Sequence, residues 1–349
     1  MLNEFYKNKK VFITGHTGFK GSWLCRMLLH MGAEVTGYAL KPLEKNNLFD
    51  ISGIGKDMHS VIGDIRDLEL LKKTFNDEQP EIVIHMAAQP LVRTSFQQPV
   101  YTYETNVMGT VNILECIRIS NCVKSFLNVT TDKVYKNNEW VWGYREDEPL
   151  DGYDPYSNSK SCSELVTHSY SNSFFIDRSI AISTARAGNV LGGGDFSIDR
   201  IIPDCINAAL NTKIIKVRSP YSTRPYQHVL DALYAYLTIV AYQYKDNRYA
   251  GYYNVGPDDT DCFQTAQLVD LFVKKWGNNL EWINEYDGGP HEANFLKLDC
   301  SKMRSTFGWH PHWNLDKTLD KVIEWTKCWI SSEDIKECMV KQIEEFIKI

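Results

Sequence analysis

Several features that mark particular protein classes are missing from this chain of 349 residues. Basic residues do not outnumber acidic ones, because 38 Lys and Arg stand against 44 Asp and Glu, giving a net charge of -6. A chain with this balance has no general positive field that would attract a phosphate backbone or an anionic lipid surface. We therefore expect neither nucleic acid nor a membrane surface to be the main partner.

Long apolar runs and paired cysteines are also missing. Lys7, Lys9 and Lys10 precede only the short apolar run 11–13, which Gly15 soon follows. A membrane span needs about 20 consecutive apolar residues, and a secretory signal needs about 7 to 15. The nine cysteines are odd in number and scattered, without the paired spacing of a zinc site or a disulfide framework. These absences predict a cytoplasmic protein that binds no metal.

The chain does contain an ordinary globular composition, with 43% hydrophobic and 23% charged residues. Residues 10–40 read as a β-rich run, a glycine turn, a segment of helical period and a second β-rich run, which is a βαβ unit. More β-rich runs follow, separated by helix-like or mixed segments, at 81–87, 125–130, 180–185 and 252–255. This alternation predicts an α/β fold with a doubly wound, parallel Rossmann sheet.

The pattern becomes irregular after about residue 188, where the sequence GGGD occupies 192–195. A chain of this length allows two domains of about 150 residues each. We predict a dinucleotide-binding Rossmann domain at 1–188 plus 224–256. The remaining segments, 189–223 plus 257–349, would form a smaller α/β domain that binds the substrate.

Three glycines, Gly15, Gly18 and Gly21, lie between the first strand and the first helix of the βαβ unit. Glycine permits a tight turn and close backbone approach, while the helix N-terminus offers free N–H groups and a partial positive charge to a pyrophosphate. The sequence therefore predicts a dinucleotide site in the stretch GHTGFKG, formed by Gly15, His16, Thr17, Gly18, Phe19, Lys20 and Gly21.

The choice of dinucleotide is less clear from the residues. An NAD site usually places an acidic residue about 20 positions downstream, at the end of the second strand, where it binds the ribose hydroxyls. Here that strand ends in Ala39, Leu40 and Lys41, with no acid. Lys41, or Lys20 in the turn, could accommodate a 2′-phosphate, so NADP stays open beside NAD.

A set of catalytic residues is predicted from two stretches of the sequence: the end of the β-rich run 125–130 and the start of the helix-like segment that contains YSNSK. Tyr156 and Lys160 are four residues apart in YSNSK and so share one helix face. A lysine ammonium there would lower the tyrosine pKa from its usual value of about 10 and make the phenolate a usable base. Thr131, Asp132 and Lys133 follow a predicted strand, whose end would deliver them into the same crevice.

These motifs together resemble a known family. The stretches GHTGFKG, TTDKVY at 130–135, YSNSK, ARAGNVLGGGD at 185–195 and RPYQHVLD at 224–231 are similar to those of the CDP-glucose 4,6-dehydratases, in the extended short-chain dehydrogenase/reductase family. The similarity runs from the first strand almost to the C-terminus. Lys133 stands where relatives acting on dTDP-glucose carry Glu, which favours the CDP-sugar branch.

The resemblance implies a reaction and its ligands. Tightly bound NAD would take a hydride from C4 of CDP-glucose and return it to C6, releasing water and CDP-4-keto-6-deoxyglucose for deoxysugar biosynthesis. Tyr156 would take the C4 hydroxyl proton, Asp132 would protonate the C6 oxygen, and either Lys133 or Asp132 would take the C5 proton. Further cofactor contacts are implied for Asp64, Ile65, Ala87, Ala88, Gln89 and Asn106, with Tyr156 and Lys160. Substrate contacts are implied for Gln89, Asn189, Arg218, Arg224 and His291.

Some alternatives stay open. Arg218 could be an ordinary surface arginine. The resemblance also implies a homodimer, or a dimer of dimers, through a four-helix bundle. Five apolar residues could either form the interface of that bundle or equally lie in the core of the protein: Met108, Val111, Ile113, Leu114 and Ile117. The enzyme could instead be an epimerase or a dehydratase for another nucleotide sugar. A catalytically silent nucleotide-binding protein is disfavoured by the intact catalytic set.

Overall fold

The computed structural model describes residues 1–42, 45–211, 213–277, 280–286, 288–289 and 294–348. The strands in these ranges are β1 (Lys10–Thr14), β2 (Glu34–Ala39), β3 (His59–Ile62), β4 (Ile82–His85), β5 (Ser125–Val129), β6 (Ala181–Ala187), β7 (Asn189–Leu191), β8 (Ile214–Val217), β9 (Thr223–His228), β10 (Tyr252–Val255), β11 (Cys262–Gln264) and β12 (Glu281–Asn284). The α-helices are α1 (Leu2–Tyr6), α2 (Phe19–His30), α3 (Leu48–Ile51), α4 (Leu68–Glu78), α5 (Val92–Gln97), α6 (Pro99–Tyr103), α7 (Gly109–Ile119), α8 (Pro155–Tyr170), α9 (Ile201–Leu210), α10 (Val229–Lys245), α11 (Thr265–Trp276), α12 (Ser301–Phe307), α13 (Leu315–Ile330) and α14 (Ile335–Ile347).

Seven strands form one sheet in the order β10-β6-β5-β4-β1-β2-β3. Every neighbouring pair in it is parallel. The direction in which successive strands are added reverses between β1 and β4. In open parallel sheets, ligands bind in the crevice at the carboxyl ends of the strands beside such a reversal. The predicted doubly wound Rossmann fold is confirmed.

Helices cover both faces of this sheet, which is why its central strands are apolar throughout. All residues of β4 and β5 are buried. One face packs against α2 and α10, around Trp23 and Leu233. The other face packs against α7 and neighbouring helices around Phe126.

None of the helices in the described part of the chain has both the length and the apolar character that a bilayer crossing requires.

The helix α7 resolves one alternative that the sequence leaves open. Ile113, Leu114 and Ile117 are fully buried in the core beneath the sheet. Met108, just before α7, is 49% exposed, and Val111 is partly buried. The three buried residues are therefore core, and they are not available to an interface.

A smaller part of the molecule lies beyond the carboxyl ends of the strands. It contains a three-stranded sheet, β11-β9-β7, and the parallel pair β8 and β12. These pack with α9, α11 and α13 around a separate apolar core that includes Cys205, Ile215 and Phe272. Within the segment 224–256, α10 packs on β5 and β6, and β10 joins the large sheet, whereas β9 belongs to the small sheet. The predicted division into two domains stays a prediction.

Candidate active site

The glycine turn between β1 and α2 has the shape of a phosphate cradle. Gly15 has a φ of 80°, and a Cβ there would lie 2.8 Å from the backbone nitrogen of Ala87. A Cβ at Gly21 would lie 2.1 Å from the Gly15 carbonyl oxygen, whereas one at Gly18 would meet only that oxygen, at 3.5 Å. The first turn of α2 has no side-chain cap, so its N–H groups are free for an anion. The turn fits the pyrophosphate of a dinucleotide.

Two polar side chains of the turn connect it to neighbouring strands. His16 is buried, and its Nε2 lies 2.7 Å from Ser60 Oγ. Its ring packs directly on Gly37 of β2, where a Cβ would lie 2.2 Å from the ring. Burial lowers the pKa of His16 to about 4, so the ring is neutral at pH 7. The Thr17 hydroxyl donates to the Leu40 carbonyl over 2.8 Å. Both residues therefore hold the turn against the end of β2.

Lys20 lies on the catalytic side of the turn. Its side chain lines the central cavity. Burial and the nearby Arg200 lower the pKa of Lys20 to about 8, while the carboxylates of Asp132 and Asp195 act in the opposite direction. The Lys20 side chain thus lies in the cavity. It does not lie at the end of β2, where a 2′-phosphate would bind. Lys41, at that end, is exposed.

The other residues assigned to the cofactor lie at the carboxyl ends of β3 and β4. The Asp64 carboxylate accepts hydrogen bonds from the Arg66 guanidinium at 3.1 and 2.8 Å. That contact holds the pKa of Asp64 below its usual value. Ile65 is buried, and Ala87 and Ala88 are partly exposed after β4. The structure brings all four predicted residues to the sheet edge that carries the glycine turn.

Gln89 and Asn106 are bonded to each other. The Gln89 backbone N–H donates to Asn106 Oδ1 over 2.8 Å, and Asn106 Nδ2 donates to the Gln89 carbonyl over 3.1 Å. The same amide also donates to Ser159 Oγ, and Gln89 Nε2 donates to Thr102 Oγ1. Both side chains are buried. Their polar atoms thus order the loop after β4, and a direct ligand contact stays a prediction.

The carboxylate that is predicted to be catalytic, that of Asp132, lies just after β5. Thr131 Oγ1 donates to Asp132 Oδ1 over 2.9 Å, and Lys133 Nζ lies 3.3 Å from the same oxygen. The other oxygen, Oδ2, is buried and has no hydrogen-bond partner among the described residues. A Cβ at Gly188 would lie 3.3 Å from it and 2.6 Å from Pro225, so this glycine, which sequence reasoning missed, lets the backbone after β6 pack closely on the carboxylate. Asp132 is therefore enclosed by the surrounding chain, and its direct contact with a ligand stays a prediction.

Tyr156 and Lys160 lie on the first turns of α8, as their spacing predicts. The helix begins at Pro155 and is capped by Asp154, which accepts from the Ser157 N–H over 3.0 Å. Tyr156 shares a hydrogen bond with Thr131. Lys160 Nζ donates to the Val129 carbonyl over 3.2 Å. The structure thus brings the end of β5 and the start of α8 together.

The electrostatics of this pair differ from the sequence prediction. Burial raises the pKa of Tyr156 to about 12, against the opposing effects of the Thr131 hydrogen bond and the Arg200 charge. Burial and the nearby Lys20 lower the pKa of Lys160 to about 7. The prediction that Lys160 lowers the tyrosine pKa is therefore wrong for the chain alone, because burial dominates. The phenol is protonated at neutral pH.

A buried ion pair supports these residues from behind. Glu164, one helical turn after Lys160, accepts from Arg186 Nε at 2.9 Å and from its terminal nitrogen at 2.8 Å. It also accepts from the hydroxyls of Thr130 and Thr184. These bonds connect α8 to both β5 and β6. Sequence reasoning missed the pair, because a glutamate on a helix is ordinarily exposed to solvent and is seldom buried unless an opposite charge pairs with it.

A cavity of about 790 Å³ is lined by residues from both parts of the molecule. Its lining includes four of the five residues predicted to be catalytic, which are Thr131, Asp132, Lys133 and Tyr156. It also includes three of the predicted substrate residues, Asn189, Arg218 and Arg224. A volume in the range of about 300 to 1,000 Å³ is usual for a small-molecule site. Of the other two predicted substrate residues, Gln89 is not among those that line the cavity, and His291 lies outside the described residues. Arg200 and Asp204 also line the cavity, and no sequence motif pointed to either.

Comparison with known proteins agrees with this geometry. Residues 12–322 match the family model described as GDP-mannose 4,6 dehydratase. The chain is 47% identical over 350 residues to the CDP-glucose 4,6-dehydratase of Salmonella typhimurium, covering 99% of this chain and 98% of that protein. It is 31% identical over 264 residues to the dTDP-D-glucose 4,6-dehydratase of Dictyostelium discoideum, covering 72% of this chain and 58% of that protein.

Solved structures share the fold at lower identity. A dTDP-glucose 4,6-dehydratase from Bacillus anthracis in complex with NAD has a TM-score of 0.76 and 21% identity, over 91% of this chain and 96% of that one. A UDP-glucose 4-epimerase from Thermotoga maritima with UDP-glucose has a TM-score of 0.78 and 21% identity, over 92% and 99%. Taken with the sequence matches, these findings show that the chain belongs to the GDP-mannose 4,6-dehydratase family of extended short-chain dehydrogenases/reductases.

Proposed function

We propose that this protein is a hydro-lyase that converts CDP-glucose into CDP-4-keto-6-deoxyglucose and water, with NAD held through the cycle. The observation that carries the proposal is the 47% identity, over nearly the full length of both chains, to a CDP-glucose 4,6-dehydratase. The cavity supports it, because Thr131, Asp132 and Tyr156 all line one end of a space that suits a nucleotide sugar.

The described residues fit a dinucleotide. The open side of Gly18 and the uncapped start of α2 would hold the pyrophosphate, and Asp64 would lie beside the adenosine. Tyr156 and Lys160 would lie beside the nicotinamide half. When bound, NAD supplies the hydride acceptor for C4 oxidation and the donor for C6 reduction. NAD is favoured over NADP, because Lys20 lies in the cavity lining and so is not placed to bind a 2′-phosphate. Of the two lysines considered for that contact, the exposed Lys41 is the one at the end of β2.

Tyr156 and Thr131 act at the C4 hydroxyl. Thr131 is near enough to favour ionisation of the Tyr156 phenol, and both residues line the cavity, so one substrate oxygen could contact both. Tyr156 takes the hydroxyl proton as C4 becomes a ketone. A base must be deprotonated when it acts, so positive groups near Tyr156, such as Arg200, have to offset the effect of burial on its pKa.

Asp132 and Lys133 carry out the elimination. Once C4 is a ketone, the C5 proton is acidic, and Lys133 takes it. Asp132 gives its proton to the C6 oxygen, which leaves as water. Because Lys133 Nζ lies 3.3 Å from Asp132 Oδ1, the proton from C5 can then pass to the carboxylate and restore both groups. When C6 is reduced, C5 takes a new proton that comes from solvent, and Tyr156 releases the proton from the C4 hydroxyl to solvent. Asp132 is one of the residues that line the cavity.

Arg224 is the strongest candidate for the diphosphate contact. Its side chain is 7% exposed and lines the cavity. A guanidinium presents two parallel N–H donors that match phosphate oxygens. Asn189 on β7, which also lines the cavity, would donate to the same diphosphate.

The reaction is tested with the NAD-loaded protein and a panel of CDP-, dTDP-, UDP- and GDP-glucose. We expect CDP-glucose to give the alkali-absorbing 4-keto product, with a mass lower by one water and, in heavy water, one deuterium at C5. A product from another nucleotide sugar alone would contradict the substrate assignment. A C4 epimer formed without loss of water would show an epimerase.

We also propose that the protein forms a homodimer through α6, α7 and α8. Exposed apolar side chains on these helices and their extensions support it: Val100 is 70% exposed, Met108 49%, Leu165 54% and Phe174 46%. Where such side chains form one contiguous patch, they mark an interaction surface. Light scattering should give twice the 40.2 kDa chain mass. Leu165→Glu should give the monomer, whereas Ile330→Glu, at an exposed position on α13, should not. A monomeric unmodified chain would contradict the proposal.

A further inference from the structure

The cavity end formed by α9 and β8 contains an ion pair with no part in the chemistry. Arg218, directly after β8, has a terminal nitrogen 3.6 Å from Asp204 Oδ2 on α9. Arg218 also pairs with Asp199. The side chains of Asp204 and Arg218 are 38% and 24% exposed, and both line the cavity. They are therefore open to a ligand while still in contact with each other.

The position of this pair matches the nucleoside end of the substrate. The catalytic residues come from β5 and α8 of the large sheet, whereas Asp204 and Arg218 come from the smaller part of the molecule. A nucleotide sugar is an extended molecule with the diphosphate between sugar and nucleoside. With the sugar at Tyr156, the base is directed toward the α9 and β8 end. Val217, at 1% exposure, and Ile201 add apolar lining beside the pair.

The pair also has the hydrogen-bonding pattern that cytosine requires. Cytosine presents the N4 amino donor, followed along the same edge by two acceptors, N3 and O2. Uracil and thymine present an acceptor at O4 and a donor at N3. A carboxylate beside a guanidinium presents one acceptor followed by donors. The carboxylate acceptor and the guanidinium donors therefore match the N4 donor and the N3 and O2 acceptors of cytosine. With uracil, the carboxylate would face the O4 acceptor, and the guanidinium would face the N3 donor.

We propose that Asp204 and Arg218 select the base of the substrate, with Asp204 accepting from the cytosine N4 amino group and Arg218 donating to N3 and O2. The inference rests on the proposed function, since it names what reads the base in that site. It specifies the substrate contact implied for Arg218 as a contact with the base. That guanidinium already faces two carboxylates, Asp199 and Asp204, whose negative charge opposes a diphosphate at the same place.

The decisive variant is Asp204→Asn, which keeps the shape but lets the side chain donate to uracil O4. The kcat and KM of the NAD-loaded enzyme are measured with CDP-glucose and UDP-glucose. Sites that hydrogen-bond a substrate group can reject a mismatched analogue by about 10⁴-fold when fully buried. For this half-exposed pair we expect the CDP:UDP ratio of kcat/KM to fall about 100-fold. The change should lie mainly in KM, because the pair is remote from C4.

Two further variants separate base selection from a general effect on Arg218. Asp199→Asn removes the other carboxylate from that guanidinium and should leave the CDP:UDP ratio as it was. Arg218→Lys keeps the charge but loses the planar pair of donors. It should weaken CDP-glucose binding without improving that of UDP-glucose. A ratio that Asp199→Asn shifts as far as Asp204→Asn does would overturn the proposal.

Calorimetry with CDP and UDP tests the inference independently of turnover. If the unmodified protein prefers CDP and Asp204→Asn abolishes that preference, base selection stands even if CDP-glucose is never dehydrated, in which case only the proposed function fails. If CDP-glucose is dehydrated but Asp204→Asn keeps the original preference in both assays, the proposed function stands and this inference is wrong.

Discussion

The two walls of the cavity hold their charged groups in different ways. The catalytic wall, formed by the ends of β5 and α8, is supported by Glu164 and Arg186, whose side chains are 1% and 2% exposed. The nucleotide wall, formed by residues 195–200, α9 and β8, has Arg218 and Asp199 at 24% and 36% exposure. One wall is fixed by buried bonds. The other holds charges that contact one another at the cavity surface.

This difference matches what each wall has to do. A buried pair is tolerated only when hydrogen bonds satisfy both ions, so Glu164 and Arg186 fix α8 against β5. Tyr156 and Thr131 are therefore positioned before substrate arrives, as catalysis requires. Ion pairs near solvent contribute only about 0 to 1 kcal/mol. A ligand can therefore replace contacts such as Arg218 with Asp199 at little cost in free energy.

The largest expected effect is at the catalytic wall, from Tyr156→Phe. Loss of the phenol oxygen removes the group that takes the C4 proton, and general-base catalysis contributes roughly 10² to 10⁴-fold. We expect kcat with CDP-glucose to fall about 1,000-fold, while calorimetry shows little change in CDP binding. Tyr221→Phe, at a 72% exposed position, is the control and should retain kcat. Unchanged turnover in the Tyr156 variant would remove this residue from the mechanism.

A large loss of stability is expected from Glu164→Gln. The change leaves the Arg186 charge buried without a counterion, and breaking a buried pair in this way costs about 3 to 5 kcal/mol. Urea unfolding should show a decrease of that order, about 3 kcal/mol. The kcat should fall more than KM rises, because α8 loses its fixed position beside β5. A stability loss below about 1 kcal/mol would mean that the catalytic wall is no more rigid than the nucleotide wall.

The two walls also differ in how far the sequence predicts them. Tyr156 and Lys160 could be predicted because helical geometry fixes the spacing of residues on one face. The glycine turn could be predicted for a similar reason, since backbone contacts exclude a Cβ at Gly15 and Gly21. By contrast, the contact of Glu164 with Arg186 depends on how α8 packs on β6, which no local pattern records.

The nucleotide wall was predicted least well. Arg200 and Asp204 lie in and near a helix whose place beside β8 follows from the packing of the smaller core. Neither belongs to a motif with a required spacing. The burial that raises the pKa of Tyr156 was also not predictable, because desolvation depends on the whole surrounding structure. Chemistry with a fixed local spacing is visible in the sequence, and contacts between distant segments are not.

A pH-dependent effect is expected from Lys160→Met in the catalytic wall. The pKa of Lys160 is about 7 in the folded chain, where burial and Lys20 outweigh the opposing Glu164, against a usual value of 10.5. The unfolded chain therefore binds the extra proton between these values, and burial of Lys160 destabilises the fold most below pH 7.

Lys160→Met should thus stabilise the NAD-free protein at pH 6 by about 2 kcal/mol, and the gain should shrink as the pH rises toward 10. Urea unfolding at pH 6, 8 and 9.5 measures it. Lys274→Met, at an exposed position on α11, is the control. A gain that stays constant across this range would show that Lys160 keeps its proton in the fold, and the two walls would then differ less than their burial indicates.

The smallest effect is expected from Glu285→Gln beside the nucleotide wall, which repeats the chemical change made at Glu164. Glu285 lies 2.8 Å from Lys216 Nζ, with side chains 44% and 65% exposed. Solvent screens this pair, so its loss should lower the free energy of unfolding by less than about 1 kcal/mol. Urea unfolding of both variants at low and high salt makes the comparison direct, because only the exposed pair should weaken with salt. A loss as large as that of Glu164→Gln would show that ion pairs in the nucleotide wall hold the fold, and that ligand binding could not exchange them freely.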